Sequence, residues 1–220
     1  MKKLFVFLGL TFTVGLATPN SSSAQLSSAG LFSACQTAAA ATPSALRGAG
    51  KTTKMWCAVV DREGQLLLVK ATDTAGTPAA PAGSDAWRGS IEIAIAKAYS
   101  AVAFSSGDQA LDSRTLGLLA RQDGPGKVSP KKIGTDAGVA PLFGIGASNS
   151  YRPLTGSGLG SDDGVGAFHH GIITFAGGQP VYDCSTHALL GAVGVSGDGV
   201  DEDDSVAKGA ITGAGDCLTP

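Results

Sequence analysis

Between Gly164 and Gly209, short β-branched and apolar runs are separated by glycine pairs and polar clusters, and nothing else in the chain limits its fold so tightly. Gly171–Ala176 is such a run and stops at Gly177-Gly178; Gln179–Asp183 follows at once, and Leu189–Val195 is wholly small or apolar. Runs of this length and punctuation predict three antiparallel strands, the first two joined by a tight Gly-Gly hairpin. The last run ends in Ser196-Gly197-Asp198-Gly199, and the acidic group Asp201-Glu202-Asp203-Asp204 then opens a helix. Carboxylates there suit the positive end of the helix dipole and can cap its free N–H groups.

The fold proper is expected to span residues 25–220 as one domain, the usual outcome at this length. Residues 1–24 read as a secretory signal: Lys2-Lys3 is a basic start, Leu4–Ala17 an apolar run, and Ser22-Ser23-Ala24 supplies small residues for cleavage before Gln25. That apolar run is short for a membrane span, and no later segment is long and apolar enough for one, so no membrane insertion is expected after cleavage. The exported product is expected in the periplasm or outside the cell. The whole chain carries a formal charge of −2, and cleavage would remove two lysines. Lys131-Lys132 is its one later basic pair and reads as a solvated loop, so no nucleic-acid partner is expected.

Ser27 to about Ala41 predicts a first helix, capped by Ser27 or Ser28 and ended at Thr42-Pro43. Ala45–Thr52 then matches a relaxed phosphate-loop pattern with Ala45 in place of its first glycine. Phosphate cradling needs a strand before the loop and a helix after it. Here the order is reversed, so the stretch reads as a glycine-rich helix-to-strand turn. Met55–Asp61 and Gln65–Lys70 predict a hairpin through Arg62-Glu63-Gly64. Ser84 or Asp85 should cap a long helix running to about Phe104, with Ile91, Ala94, Ile95, Ala98 and Val102 on one buried stripe. Arg88 and Glu92 stand four apart and can pair. A shorter helix is expected over Leu111–Arg121, and Gln122–Gly164 reads as a long irregular loop.

Several ordered motifs are similar to those of the GlcG/HbpS-like family, which includes the C-terminal domain of PduO proteins. They are MWCAVVDREGQLLLVKATDT, SIEIAIAKAYSAVAFSS, TFAGGQPVYD and LLGAVGVSGDGVDEDDSVAKGA, and together they reach from about Leu31 to about Ile211. The resemblance implies an α+β, profilin-like sandwich with a five-stranded antiparallel sheet flanked by helices, assembled as a homo-oligomer. It also implies haem or a related tetrapyrrole as ligand, since several members bind one and some degrade haem. Within it, Gly177 and Gly178 help to shape the ligand pocket.

The residues themselves leave more open. His169 and His170 enter the expected third strand from opposite faces, so at most one can meet a given pocket as a haem-iron ligand. The plainer alternative is two solvated loop-end rings. His187 falls in a hairpin loop and is expected to be exposed; Tyr99, Tyr151 and Tyr182 are reserve ligands through phenolate oxygen. Arg88 can hold a propionate or another carboxylate, although a plain surface ion pair is the favoured reading. Cys35, Cys57, Cys184 and Cys217 make an even set in an exported chain, which favours two disulfides over a metal site because no CxxC or HxxxH spacing is present. The favoured pairing is Cys35–Cys57 with Cys184–Cys217. No hydrolase elbow, zinc helix or nucleotide fingerprint sits in its required context, so whether the protein is an enzyme stays open. The functional expectation is an exported tetrapyrrole-binding protein. A non-haem binding or sensory module acting through a partner, and an enzyme acting on a small organic acid, are the alternatives.

Overall fold

The computed structural model describes residues 25–73, 84–120 and 172–220. In chain order the elements are α1 (Ser28–Ala41), β1 (Trp56–Asp61), β2 (Leu66–Ala71), α2 (Ser90–Ala103), α3 (Ser113–Ala120), β3 (Gly178–Tyr182), β4 (Leu189–Ser196) and α4 (Val200–Ala214). The strands form one antiparallel sheet in the order β2-β1-β4-β3, an α+β arrangement with helices on both faces.

Strand alternation divides the core in two. Cys57 and Val59 of β1, with Val193 and Val195 of β4, face Leu31, Phe32 and Cys35 of α1 and Val206, Ala210 and Ile211 of α4. Trp56, Ala58 and Val60, with Ala192, face Ala94, Ile95, Ala98 and Ala101 of α2. Glycine lets α2 lie directly on the sheet: a Cβ at Gly194 would stand 1.9 Å from the Ala94 carbonyl oxygen. The β1–β2 hairpin forms as expected, with Gly64 left-handed (φ 84°) and the Asp61 carboxylate accepting from the Glu63 and Gln65 N–H groups.

Helix ends follow local chemistry. Ser27 Oγ caps α1 by accepting from Gly30 N–H at 3.1 Å. Gly215, left-handed at φ 88°, ends α4. The long helix begins later than expected, at Ser90, because residues 84–89 spend their bonds on a turn: Ser84 Oγ accepts from Ala86 N–H, and Trp87 O accepts from Ser90 N–H.

The sheet has four strands among the described residues, so the expected five is corrected. Of the run at 171–176, the described residues 172–176 form no strand, and residues 172–177 pass between α2 and α3 as irregular chain. Its polar groups find serines instead of a neighbouring strand. Ile173 N–H donates to Ser100 Oγ (2.7 Å), and the Phe175 carbonyl accepts from Ser113 Oγ (2.7 Å). Gly177-Gly178 is accordingly no hairpin turn but the kink that turns this segment into β3.

Along β3, the Gly178 N–H donates to Ser113 Oγ, Pro180 has no N–H, and Tyr182 exchanges two backbone hydrogen bonds with Cys217 in the C-terminal tail. A Cys184–Cys217 disulfide fastens that tail. The second expected disulfide is not made. Cys35 and Cys57 are free thiols, both buried where α1 meets β1. A hydrogen bond from the Cys35 S–H to the Cys57 side chain, followed by burial, pushes the Cys35 thiol well above its ordinary range.

Candidate functional site

Gly177 takes φ 110°, a conformation that favours glycine, and a Cβ there would lie 2.9 Å from Lys97 Nζ. At Gly178 a Cβ would stand 2.2 Å from the Lys97 carbonyl oxygen. These glycines thus let the start of β3 close over a lysine in the middle of α2. Lys97 is fully buried, and its ammonium donates to Asp203 Oδ2 (2.6 Å) and to the Val195 carbonyl (2.9 Å) beneath the Phe175 ring. Asp203 is 2% exposed and also accepts from the Asp198 N–H. Burial penalises charge on both partners. It pulls the Lys97 ammonium below its usual range against the attraction of Asp203, and raises the Asp203 carboxyl to about 6 although Lys97 opposes the rise.

The network continues outward. Gln179 Nε2 donates to Asp204 Oδ1 (2.6 Å) and, more weakly, to Asp112 Oδ2 (3.3 Å). Asp204 also binds Lys208 at 2.8 Å, and Arg114 pairs with Asp201. Arg114, Asp201, Asp204, Ser205 and Lys208 line an open cleft of about 430 Å³. Its cations are already bonded to its carboxylates, and Lys97 is sealed below, so this network holds β3 against α2, α3 and α4. No group of three or more His, Cys, Asp or Glu able to hold a metal occurs among the described residues.

A second polar region lies where the Ser44–Lys54 loop meets the Ser84–Gly89 turn. The phosphate-loop resemblance fails here for a visible reason: the N–H groups of Ala45 and Leu46 and the Ser44 hydroxyl all go to the Asp198 carboxylate. Burial works against that charge, but these bonds and the Gly199 N–H outweigh it and hold Asp198 below the usual carboxylate range. Arg47 Nη2 donates to the Asp85 carbonyl at 2.7 Å, its guanidinium lies 5.8 Å from the centre of the Trp87 ring, and its Nε is buried without an acceptor. Lys54 pairs with the Asp85 carboxylate. Trp87 is 51% exposed and Leu46 55%. Arg88 stands beside them, exposed, and its expected pairing with Glu92 does not form among the described residues.

The other sequence candidates are scattered. His169, His170 and Tyr151 lie outside the described residues, as do the expected signal segment and the long loop. His187 is exposed, as expected. Tyr182 is fully buried, its hydroxyl donating to the carbonyls of Ser106 and Gln109, and burial raises its pKa, so it is a poor source of phenolate. Tyr99 lies in α2 against Gly64. Sequence reasoning passed over Lys97, Asp203, Ser113 and Arg47. For Lys97 a signal existed: a lysine between alanines in a helix apolar all round has no solvent face, and such a lysine must be paired.

The family model for haem degrading protein HbpS-like matches residues 32–212. The crystal structure of a PduOC:haem complex is 20% identical, with a TM-score of 0.51 over 90% of this chain and all of that one. That of the Klebsiella pneumoniae protein ORFY is 22% identical, with a TM-score of 0.50 over 90% of this chain and 97% of that one. At these identities they establish a shared fold. No curated protein matches.

Proposed function

Because this chain belongs to the HbpS-like family of haem degrading proteins, we propose that it is an exported, homo-oligomeric protein of profilin-like arrangement that binds haem or a related tetrapyrrole. The family match over residues 32–212 carries this reading. A structural neighbour that is itself a haem complex supports the same ligand class. Export is supported by the Lys2-Lys3 start, the apolar run behind it and the Cys184–Cys217 disulfide, since disulfides persist in oxidising compartments.

The residues present accommodate haem in part. The Tyr182 hydroxyl is engaged inside the fold, and His169 or His170 is the proposed iron ligand, with Tyr99 and Tyr151 in reserve. An anionic macrocycle also needs cations without carboxylate partners, and Arg47 and Arg88 have none among the described residues.

Titration of the mature protein with hemin tests the reading. A stoichiometric Soret shift is expected, altered by His169→Ala or by His170→Ala but not by His187→Ala. An unchanged spectrum in the His169→Ala/His170→Ala variant would refute the ligand assignment. No binding of hemin at all would refute the tetrapyrrole reading and favour a non-haem ligand.

A further inference from the structure

We infer that the corner formed by Arg47, Trp87 and Arg88 is where the carboxylate edge of the tetrapyrrole docks, the propionates meeting the two guanidinium groups and the macrocycle rim lying against Trp87 and Leu46. This deepens the haem reading and rests on it.

Charge is the first support. The loop at 44–54 carries Arg47, Lys51 and Lys54 with no acid, and Arg88, exposed and next to Trp87 in the chain, adds a fourth cation to a protein whose formal charge is negative. The acids that face this corner are already occupied. Asp198 accepts from the 44–46 loop, Asp73 accepts from Ser84 and Asp85, and Asp85 binds Lys54. Glu202, the exception, lies over Gly199 next to Ala45 of the same loop. Arg47 and Arg88 therefore keep their charge without a bonded carboxylate among the described residues.

Preorganisation is the second. The Asp85 and Lys54 carbonyls hold the Arg47 guanidinium on one face of the indole, and those neutral acceptors leave Nε–H without a partner. Nε itself is closed to solvent, so a propionate meets this guanidinium through its remaining Nη donors. Fixing the fork before the ligand arrives lowers the entropy lost on binding.

The third support is exposed apolar surface. Trp87 and Leu46 are each about half exposed beside those cations, whereas Trp56, the chain's other tryptophan, is 4% exposed. An aromatic and an aliphatic side chain beside fixed cations suit a planar apolar ring with an anionic edge; a plain phosphate or small organic acid would leave them unused.

The test compares hemin with hemin dimethyl ester on the mature full-length chain, reading affinity from Soret titrations. Wild type is expected to bind hemin roughly tenfold or more tightly than the ester, the scale of a charge-assisted hydrogen bond. In Arg47→Gln/Arg88→Gln, hemin affinity should fall by about that factor and the preference should approach one. Arg62→Gln, an exposed charge on the β1–β2 turn, should retain it. Should Arg47→Gln disturb the loop, as circular dichroism would show, Arg88→Gln and Trp87→Ala at exposed positions carry the test, each weakening hemin. Tight hemin binding with an unchanged preference in every variant would overturn the docking corner and leave the haem reading standing. Wild type that does not bind hemin would overturn both.

Discussion

Replacing Lys97 by methionine keeps the stem that fills the space between α2 and β3 but removes the buried ammonium. Asp203 would then be left 2% exposed, with the Asp198 N–H as its remaining partner. Breaking one side of a buried pair typically costs about 3–5 kcal/mol. The pH dependence can be worked out from Asp203. Its folded carboxyl titrates at about 6, above the unfolded value near 3.9. A raised carboxyl contributes stability that is complete below the unfolded pKa and lost as pH climbs to the folded one. In wild type that loss stops near pH 6. Without Lys97 the folded value moves higher still, so the variant goes on losing about 1.4 kcal/mol per pH unit. Its deficit relative to wild type should therefore open above pH 6 and reach about 3 kcal/mol by pH 8. Urea denaturation at pH 5.5 and pH 8, with matched m-values, reads this directly. Lys97→Met/Asp203→Asn removes the charge responsible and should remove the pH dependence. A Lys97→Met deficit equal at both pH values, or the same slope in the double variant, would refute the argument.

Asp198→Ala should cost about 1–3 kcal/mol at neutral pH by freeing the Ser44–Leu46 loop. Because that carboxyl is depressed, its contribution is present above the unfolded pKa and lost as pH falls through the folded value; the deficit should shrink on acidification in urea melts. Gly194→Ala drives a methyl into the backbone of Ala94 and Ala98 and should cost about 3 kcal/mol or more, whereas Gly89→Ala, with nothing within 4 Å, should be nearly neutral in thermal melts. Alkylation of denatured, unreduced protein should label two cysteines, Cys35 and Cys57, and mass spectrometry finding none labelled would show that a second disulfide forms. Reducing Cys184–Cys217 should lower stability by about 2–4 kcal/mol.

The sequence announced those elements whose signal is local. The β1–β2 hairpin follows from Gly64 between two short apolar runs, and α1 and α4 follow from Ser27 and from the acidic opening at Asp201. The run before Gly177 misled because β-branched residues state that a segment is extended and packed, not that another strand will pair with it. Its polar groups are met by Ser100 and Ser113, serines distant in sequence, and nothing local betrays that. The same limit hid half of the candidate site. The acidic opening of α4 looked like dipole compensation, which suits exposed Asp201, but Asp203 two residues on belongs to a lysine in another helix. Arg88 drew notice through its spacing to Glu92, whereas the arginine that the fold fixes is Arg47, whose role depends on the turn it meets.

The treatment of β3 bears on how copies of this chain can meet. At its outer positions one N–H is held by Ser113, one is absent because the residue is Pro180, and one is claimed by Cys217, so this border of the sheet offers no row of donors to a newcomer. The opposite border, β2, pairs with β1 alone among the described strands and exposes Leu66 and Leu67. A sheet with one blunted border and one open border can be extended once. Two copies joined β2 to β2 would present only β3 at either end, and growth would stop there. Among the described residues, then, edge pairing through β2 would give a closed pair, and β3 offers no register in which to extend it.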